Sequence, residues 1–218
     1  MVEKNNLQKK KKIFSIINRK LKKLYPRIRI ALNYKNPWEL LVATILSAQT
    51  TDKKVNEITE KLFSKYKTLD DYVKADSQEF AEDIKGVNYY KNKAKFILEN
   101  ARIIKEKFHG QVPKSMDEML KLKGVARKTA NIVLANAYNI LQGIAVDTHV
   151  KRLSRLLGLT KETKPEKIEE DLMKIVPSKE WRDFPLRLIQ YGRDYCPAKK
   201  HNHQNCPLTQ ELKKHNIK

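Results

Sequence analysis

The sequence predicts an all-α protein, and three observations predict it. Every segment with regular apolar spacing repeats at three and four residues. None alternates in the two-residue rhythm of a half-buried strand, and the segments are bounded by helix caps, prolines and glycines. With 218 residues and 40% apolar content, the chain has enough length to bury a core in one large domain or two small ones.

The elements follow in order. Residues 1–23 carry nine lysines and arginines against one acid, Glu3, and the first dozen, Lys9 to Lys12 among them, read as a mobile basic tail. Ile13, Ile16, Ile17, Leu21 and Leu24 then fall on one face of an amphipathic helix, which ends near Tyr25 because a proline disfavours a helical residue before it. Asn36 supplies a cap and Pro37 a first-turn proline for a nearly all-apolar, buried helix over residues 38–46. After a polar break at residues 47–52, a helix is predicted over 52–66, with Val55, Ile58, Leu62 and Phe63 inward. Residues 69–73 and 77–84 predict two short helices, the second capped by Ser77.

Gly86-Val87-Asn88-Tyr89-Tyr90 is a glycine turn that displays two tyrosines beside Lys91, Lys93 and Lys95. Stacking surfaces next to cations suit a wedge into a nucleic-acid duplex, although tyrosines of this kind also pack on their own domain. A long helix follows over 91–108, with Ala94, Ile97, Leu98, Ala101 and Ile104 inward, and Gly110 stops it. Ser115 caps a helix over 116–122. Gly124 supplies the positive φ of a tight hairpin, and a second helix opens at residues 126–128 with Ala130, Val133, Leu134 and Ala137 inward. Residues 148–157 place Val150, Leu153, Leu156 and Leu157 toward a core, leaving Lys151, Arg152 and Arg155 as a phosphate-facing or solvated face. Pro165 starts a helix to 175, and 181–191 forms the last one.

Lysine and arginine number 46 against 25 acids, a formal net charge of +21, which implies a polyanionic partner: nucleic acid first, an anionic membrane second. No run of 18 apolar residues and no apolar N-terminal segment occurs, so the sequence predicts neither a spanning helix nor a secretory signal; an intracellular, cytoplasmic or nucleoid-associated protein is expected. Two cysteines make no disulfide framework.

The hairpin has chemical content of its own. A glycine turn running into a helix N-terminus presents backbone N–H groups and the positive end of a helix dipole, both suited to a phosphate. Lys128 lies in that first turn as a candidate nucleophile, and Asp147, 19 residues on, is a candidate partner or a helix cap. Taken with its flanks, the stretch Leu122-Lys123-Gly124-Val125-Ala126-Arg127-Lys128-Thr129-Ala130-Asn131, followed by Ala145-Val146-Asp147-Thr148-His149, resembles the signature of the endonuclease III family of DNA glycosylase/AP lyases. Leu46-Ser47-Ala48-Gln49-Thr50-Thr51-Asp52 and Tyr191-Gly192-Arg193-Asp194-Tyr195-Cys196 resemble two further family segments, so the likeness spans roughly residues 30–206 in the family's order.

The resemblance implies the two-domain helix-hairpin-helix DNA glycosylase fold. Residues 30–141 would form a six-helix bundle bearing the hairpin, and residues 1–29 with 142–218 a second helical domain. DNA would bind across the cleft, with Lys128 on one side and Asp147 on the other. Lys128 is then the Schiff-base nucleophile, and Asp147 the proton acceptor and electrostatic stabiliser. Gln49 would fill the gap left by an extruded base while Asp52 caps the next helix, and Tyr89 would be the wedge. Lys123, Gly124, Ala126 and Arg127 would contact the backbone of the DNA. The implied activity is excision of damaged bases, oxidised pyrimidines foremost, from duplex DNA by a monomer, with cleavage of the abasic site. A glycosylase for mismatches or oxidised guanine on the same fold is one alternative; a non-catalytic hairpin module that binds DNA through its phosphates is another. Lys128 argues against the monofunctional mismatch enzymes and Asp147 against the bare module.

Three positions depart from the family pattern. Ala126 stands where a second hairpin glycine is usual and Lys123 where proline is frequent. If position 126 needs a positive φ, alanine strains it; otherwise alanine simply favours the helix start. The family's four cysteines for a [4Fe-4S] cluster are matched by Cys196 and Cys206 only, with His203 and Leu212 at the others, and leucine ligates no iron. The degenerate loop at 196–212 is therefore expected to hold no cluster. Cys196, His201, His203 and Cys206 offer a zinc donor set, but a metal-free loop held by packing is the expectation.

Overall fold

The computed structural model describes residues 2–217, and every regular element among them is helical. Contacts divide the chain into two compact units, residues 31–142 and residues 1–30 with 143–218.

In the first unit, α2 (Pro37–Leu46) is the central helix: Asn36 accepts from the Glu39 N–H at its start, and residues 38–46 are all buried. Around it lie α3 (Asp52–Lys65), α4 (Leu69–Lys74), α5 (Ser77–Asp83), α6 (Tyr90–Lys107), α7 (Met116–Met119) and α8 (Arg127–Ala137). Trp38, Tyr66, Tyr72 and Phe80 close one end of the core, with ring centroids 5.1 to 5.7 Å apart and mostly edge-to-face. α6 buries Ala94, Ile97, Leu98, Ala101 and Ile104, as its spacing predicts.

The second unit contains α1 (Val2–Leu24), α9 (Thr148–Leu156), α10 (Pro165–Ile175), α11 (Asp183–Asp194) and α12 (Pro207–Lys214). Ile17, Leu21, Val150, Leu153, Leu172, Phe184, Leu188 and Tyr191 build its core. The buried Arg187 guanidinium is matched by Glu180 at 3.3 Å and Asp183 at 3.4 Å, which keeps its charge paired.

Several expectations are corrected. The basic tail, of which Met1 lies outside the described residues, is helical from Val2, because lysine is a good helix former and Lys10 is tied to Asp171 at 3.2 Å. Thr51, not Asp52, caps α3, since its hydroxyl accepts from the Lys54 N–H; Asp76, not Ser77, caps α5 by accepting from Gln78 and Glu79. The helix after Ser115 stops at Met119, and residues 120–122 are turns that lead to the hairpin. Ala135 rather than Ala137 completes the buried face of α8, and Leu156 is exposed. A short 3-10 turn at Ser178–Glu180 precedes the segment expected at 181–191, which becomes α11 only at Asp183. It is not the last helix, because α12 follows.

Candidate active site

The hairpin is held from behind by α6. Gly124 has φ +70°, and a Cβ there would fall 2.7 Å from Cδ2 of Phe96. The buried Asn100 side chain pairs with the backbone of Lys123 in both directions, accepting from its N–H at 2.7 Å and donating to its carbonyl at 2.9 Å. The turn is thereby fixed to one helix by two hydrogen bonds and one ring contact. Ala126 is extended at φ −95°, ψ 172°, so alanine there carries no left-handed strain. No side chain caps α8, and its N-terminus remains a suitable place for an anion. Lys128, in the first turn, is exposed; Lys123 is exposed and Arg127 half-buried.

Two more loops of the same unit are joined to each other. Gln49 and Tyr89, both exposed, adopt left-handed backbones at φ 56° and φ 59°. Asn88 links them: its side-chain amide donates to the Gln49 carbonyl, and its own N–H donates to the Thr50 hydroxyl at 3.2 Å. Lys93 supports the arrangement from α6. Its ammonium donates to the carbonyls of Leu46 at 2.8 Å and Ala48 at 2.6 Å, and it lies 3.5 Å from the Thr50 hydroxyl. Burial pushes this amine down to about 8. A left-handed residue other than glycine costs about 1–2 kcal/mol, so two side by side persist only because Asn88 and Lys93 over-determine the loops. Tyr89 is 63% exposed and packs on nothing that would bury it.

In the other unit, Asp147 caps α9 by accepting from the Val150 N–H at 2.7 Å. His149 is half-buried on the first turn of that helix. Further along the same unit, Cys196, His201, His203 and Cys206 bring one ligand atom each to within 4.8 Å of one another. Burial, then the neighbouring Cys196, pushes the free Cys206 thiol up to about 11, and burial lowers His203. Leu212, at the fourth position of the family's cluster pattern, is buried in the apolar core, so these residues do not fit a four-thiolate iron–sulfur cluster.

Lys93, expected beside the tyrosines as a phosphate-binding cation, is instead buried, because its ammonium is taken up by the carbonyls of Leu46 and Ala48; sequence reasoning missed this bracing role together with Asn88 and Asn100. The signal for two of them was present, because Lys93 and Asn100 lie on the same stripe as Ile97 and Ile104, where only apolar residues are expected unless a polar one has partners.

Residues 42–178 match the family of HhH-GPD superfamily base excision DNA repair proteins. Endonuclease III of Synechocystis sp. is 51% identical over 188 residues, 86% of either chain. Endonuclease III of Bacillus subtilis is 42% identical over 190 residues, 87% of this chain and 86% of that one. A solved structure of a trapped endonuclease III–DNA covalent intermediate superposes with a TM-score of 0.87 at 39% identity, covering 95% of this chain and 98% of the other. Among the described residues no helix is long and apolar enough to cross a membrane. By its hairpin, its fold and these similarities, the chain belongs to the endonuclease III family of base excision repair enzymes, which are DNA glycosylase/AP lyases.

Proposed function

We propose that this enzyme removes oxidised pyrimidines from duplex DNA and cleaves the resulting abasic site through a Schiff base on Lys128. The observation that supports the reading most is the exposed Lys128 in the first turn of α8, directly after a hairpin whose helix N-terminus suits a phosphate. A phosphate held by the hairpin N–H groups and Lys123 would fix the DNA backbone close to that amine.

A glycosidic bond inside the base stack is out of reach, so the nucleotide must be extruded. Tyr89 and Gln49, on their two braced left-handed loops, are suited to enter the space it leaves and so offset lost stacking. The Lys128 nitrogen then bonds to C1′ as the bond from C1′ to the base breaks, and the base departs with a proton. Opening of the sugar ring gives an iminium; loss of a C2′ proton and cleavage of the bond from C3′ to oxygen expel the 3′ phosphate. Asp147 takes up a proton during these steps, and its charge favours positive character at C1′. Its bond to the Val150 N–H fixes the carboxylate in one orientation. The enzyme works as a monomer on DNA within the cell.

The test is a panel of duplexes carrying one oxidised pyrimidine, 8-oxoguanine or a mispaired thymine. Release of the oxidised pyrimidine in preference, with strand cleavage, is expected from the wild type, and neither event from Lys128→Ala. Preference for 8-oxoguanine or mispaired thymine would replace the substrate assignment.

A further inference from the structure

The C-terminal loop between α11 and α12 carries four donors in the pattern Cys-x4-His-x-His-x2-Cys. Their ligand atoms lie close together, all within 4.8 Å of one another. We propose that Cys196, His201, His203 and Cys206 bind one tetrahedral Zn²⁺, which fastens α12 to its unit.

Two of the donor-to-donor distances have the length that a mononuclear site requires. Around zinc, with bonds of about 2.3 Å to sulfur and 2.0–2.1 Å to nitrogen, a tetrahedron has nitrogen-to-sulfur edges of about 3.5 Å. Cys196 Sγ lies 3.4 Å from His203 Nδ1, and His201 Nε2 lies 3.3 Å from Cys206 Sγ. One such pair alone would be an ordinary thiol–imidazole hydrogen bond. Here two such pairs lie together, with the imidazole centroids 4.1 Å apart and all four ligand atoms within 4.8 Å of one another, a spacing suited to a single ion between them.

The surroundings of the donors point the same way. His201 Nδ1 faces the Lys199 carbonyl at 2.8 Å, which fixes the proton on that nitrogen and turns the lone pair of Nε2 toward Cys206. Arg152 donates to the Cys196 carbonyl and lies 3.7 Å from its sulfur, placing a fixed positive charge beside a prospective thiolate. Both cysteines are buried and both histidines half-buried, and two thiolates would neutralise a divalent cation there. Mixed sulfur and imidazole ligands suit zinc and do not suit calcium or magnesium.

The function of such a site is mechanical. α12 has eight residues and buries only Leu208 and Leu212, with one ion pair to α1, between Lys20 and Glu211 at 3.6 Å. A helix this short is marginal by itself. A metal bound just ahead of Pro207 would tie its start to α11 through Cys196 and to α9 through Arg152. The site uses none of the residues proposed for DNA processing, and its fate is independent of theirs.

Full-length protein, reduced and stripped with a chelator, is titrated with Zn²⁺ and separately with Co²⁺. Bound metal is read by native mass spectrometry, ligand type by the visible spectrum of the cobalt form, and stability by the thermal midpoint. One ion per chain, the spectrum of tetrahedral cobalt with thiolate ligands, displacement of the two thiol protons and a raised midpoint are expected. Cys206→Ser and His201→Ala should each lose stoichiometric binding. Wild-type protein that takes up no zinc and keeps its midpoint overturns the proposal, and this arm needs no variant to fold. Iron with sulfide in the isolated protein, or full zinc occupancy in the Cys196→Ser/Cys206→Ser double variant, overturns it too.

Discussion

The buried ammonium of Lys93 donates to the main-chain carbonyl of Ala48 at 2.6 Å, so one helix side chain sets the loop on which Gln49 is presented. Lys93→Met keeps the length of the side chain and leaves the carbonyls of Leu46 and Ala48 without this donor. At about 1–3 kcal/mol for each buried group left unsatisfied, a loss of about 2–4 kcal/mol in denaturant unfolding is expected, with weaker base excision.

The same lysine predicts a pH signature. In the unfolded chain it titrates near its ordinary 10.5, and in the folded state near 8. Between these values the unfolded chain binds more protons, so the penalty of burying the charge is present below about pH 8 and is relieved as pH rises toward 10.5. The stability difference between wild type and Lys93→Met should grow in favour of the wild type from pH 8 to pH 10. A flat difference across that range would show that the amine is not desolvated.

Gly124→Ala places a methyl group 2.7 Å from Phe96 on a backbone at φ +70°. The conformational penalty alone is about 1–2 kcal/mol, and displacement of Phe96 adds to it. A melting midpoint lower by several degrees and weaker binding to undamaged duplex are expected together, because the hairpin carries both.

Asp147 permits its two roles to be separated. Asp147→Ala removes the bond to the Val150 N–H and should cost about 1 kcal/mol of stability. Asp147→Asn keeps an oxygen acceptor there and should leave stability nearly unchanged. If the carboxylate acts in the chemistry, both variants lose excision to a similar degree; if it is only a cap, Asp147→Asn stays active.

Tyr89 is exposed, so Tyr89→Ala should leave stability within about 0.5 kcal/mol. Excision from duplex DNA should fall by about tenfold or more, the worth of a lost stacking contact, while Tyr89→Phe retains activity. Cleavage of an abasic site in single-stranded DNA, where no stack must be opened, should be spared.

What was legible in the sequence follows from how local each cause is. Asn36 with Pro37, Ser115, and Pro165 are caps or first-turn residues that act within one turn, and the helices begin where these residues say. α1 extends through a lysine-rich stretch with no apolar face, and one of its anchors, Asp171, lies 161 residues away. α12 has too few apolar positions to establish a period, and Leu212 was visible only as a missing ligand, not as core. Gly124 and Lys128 belong to one contiguous motif. Asn88, Lys93 and Asn100 act across 23 to 47 residues of chain, and only the folded α6 shows what they hold.

The most direct measurement is borohydride trapping on a duplex with an abasic site. A Schiff base is reduced to a stable amine, so wild-type protein should give a covalent adduct that survives denaturation, and Lys128→Ala, still folded and still binding DNA, should give none. An adduct of undiminished yield from Lys128→Ala, or none from wild-type protein that binds the same duplex, would contradict the assignment of Lys128 as the nucleophile.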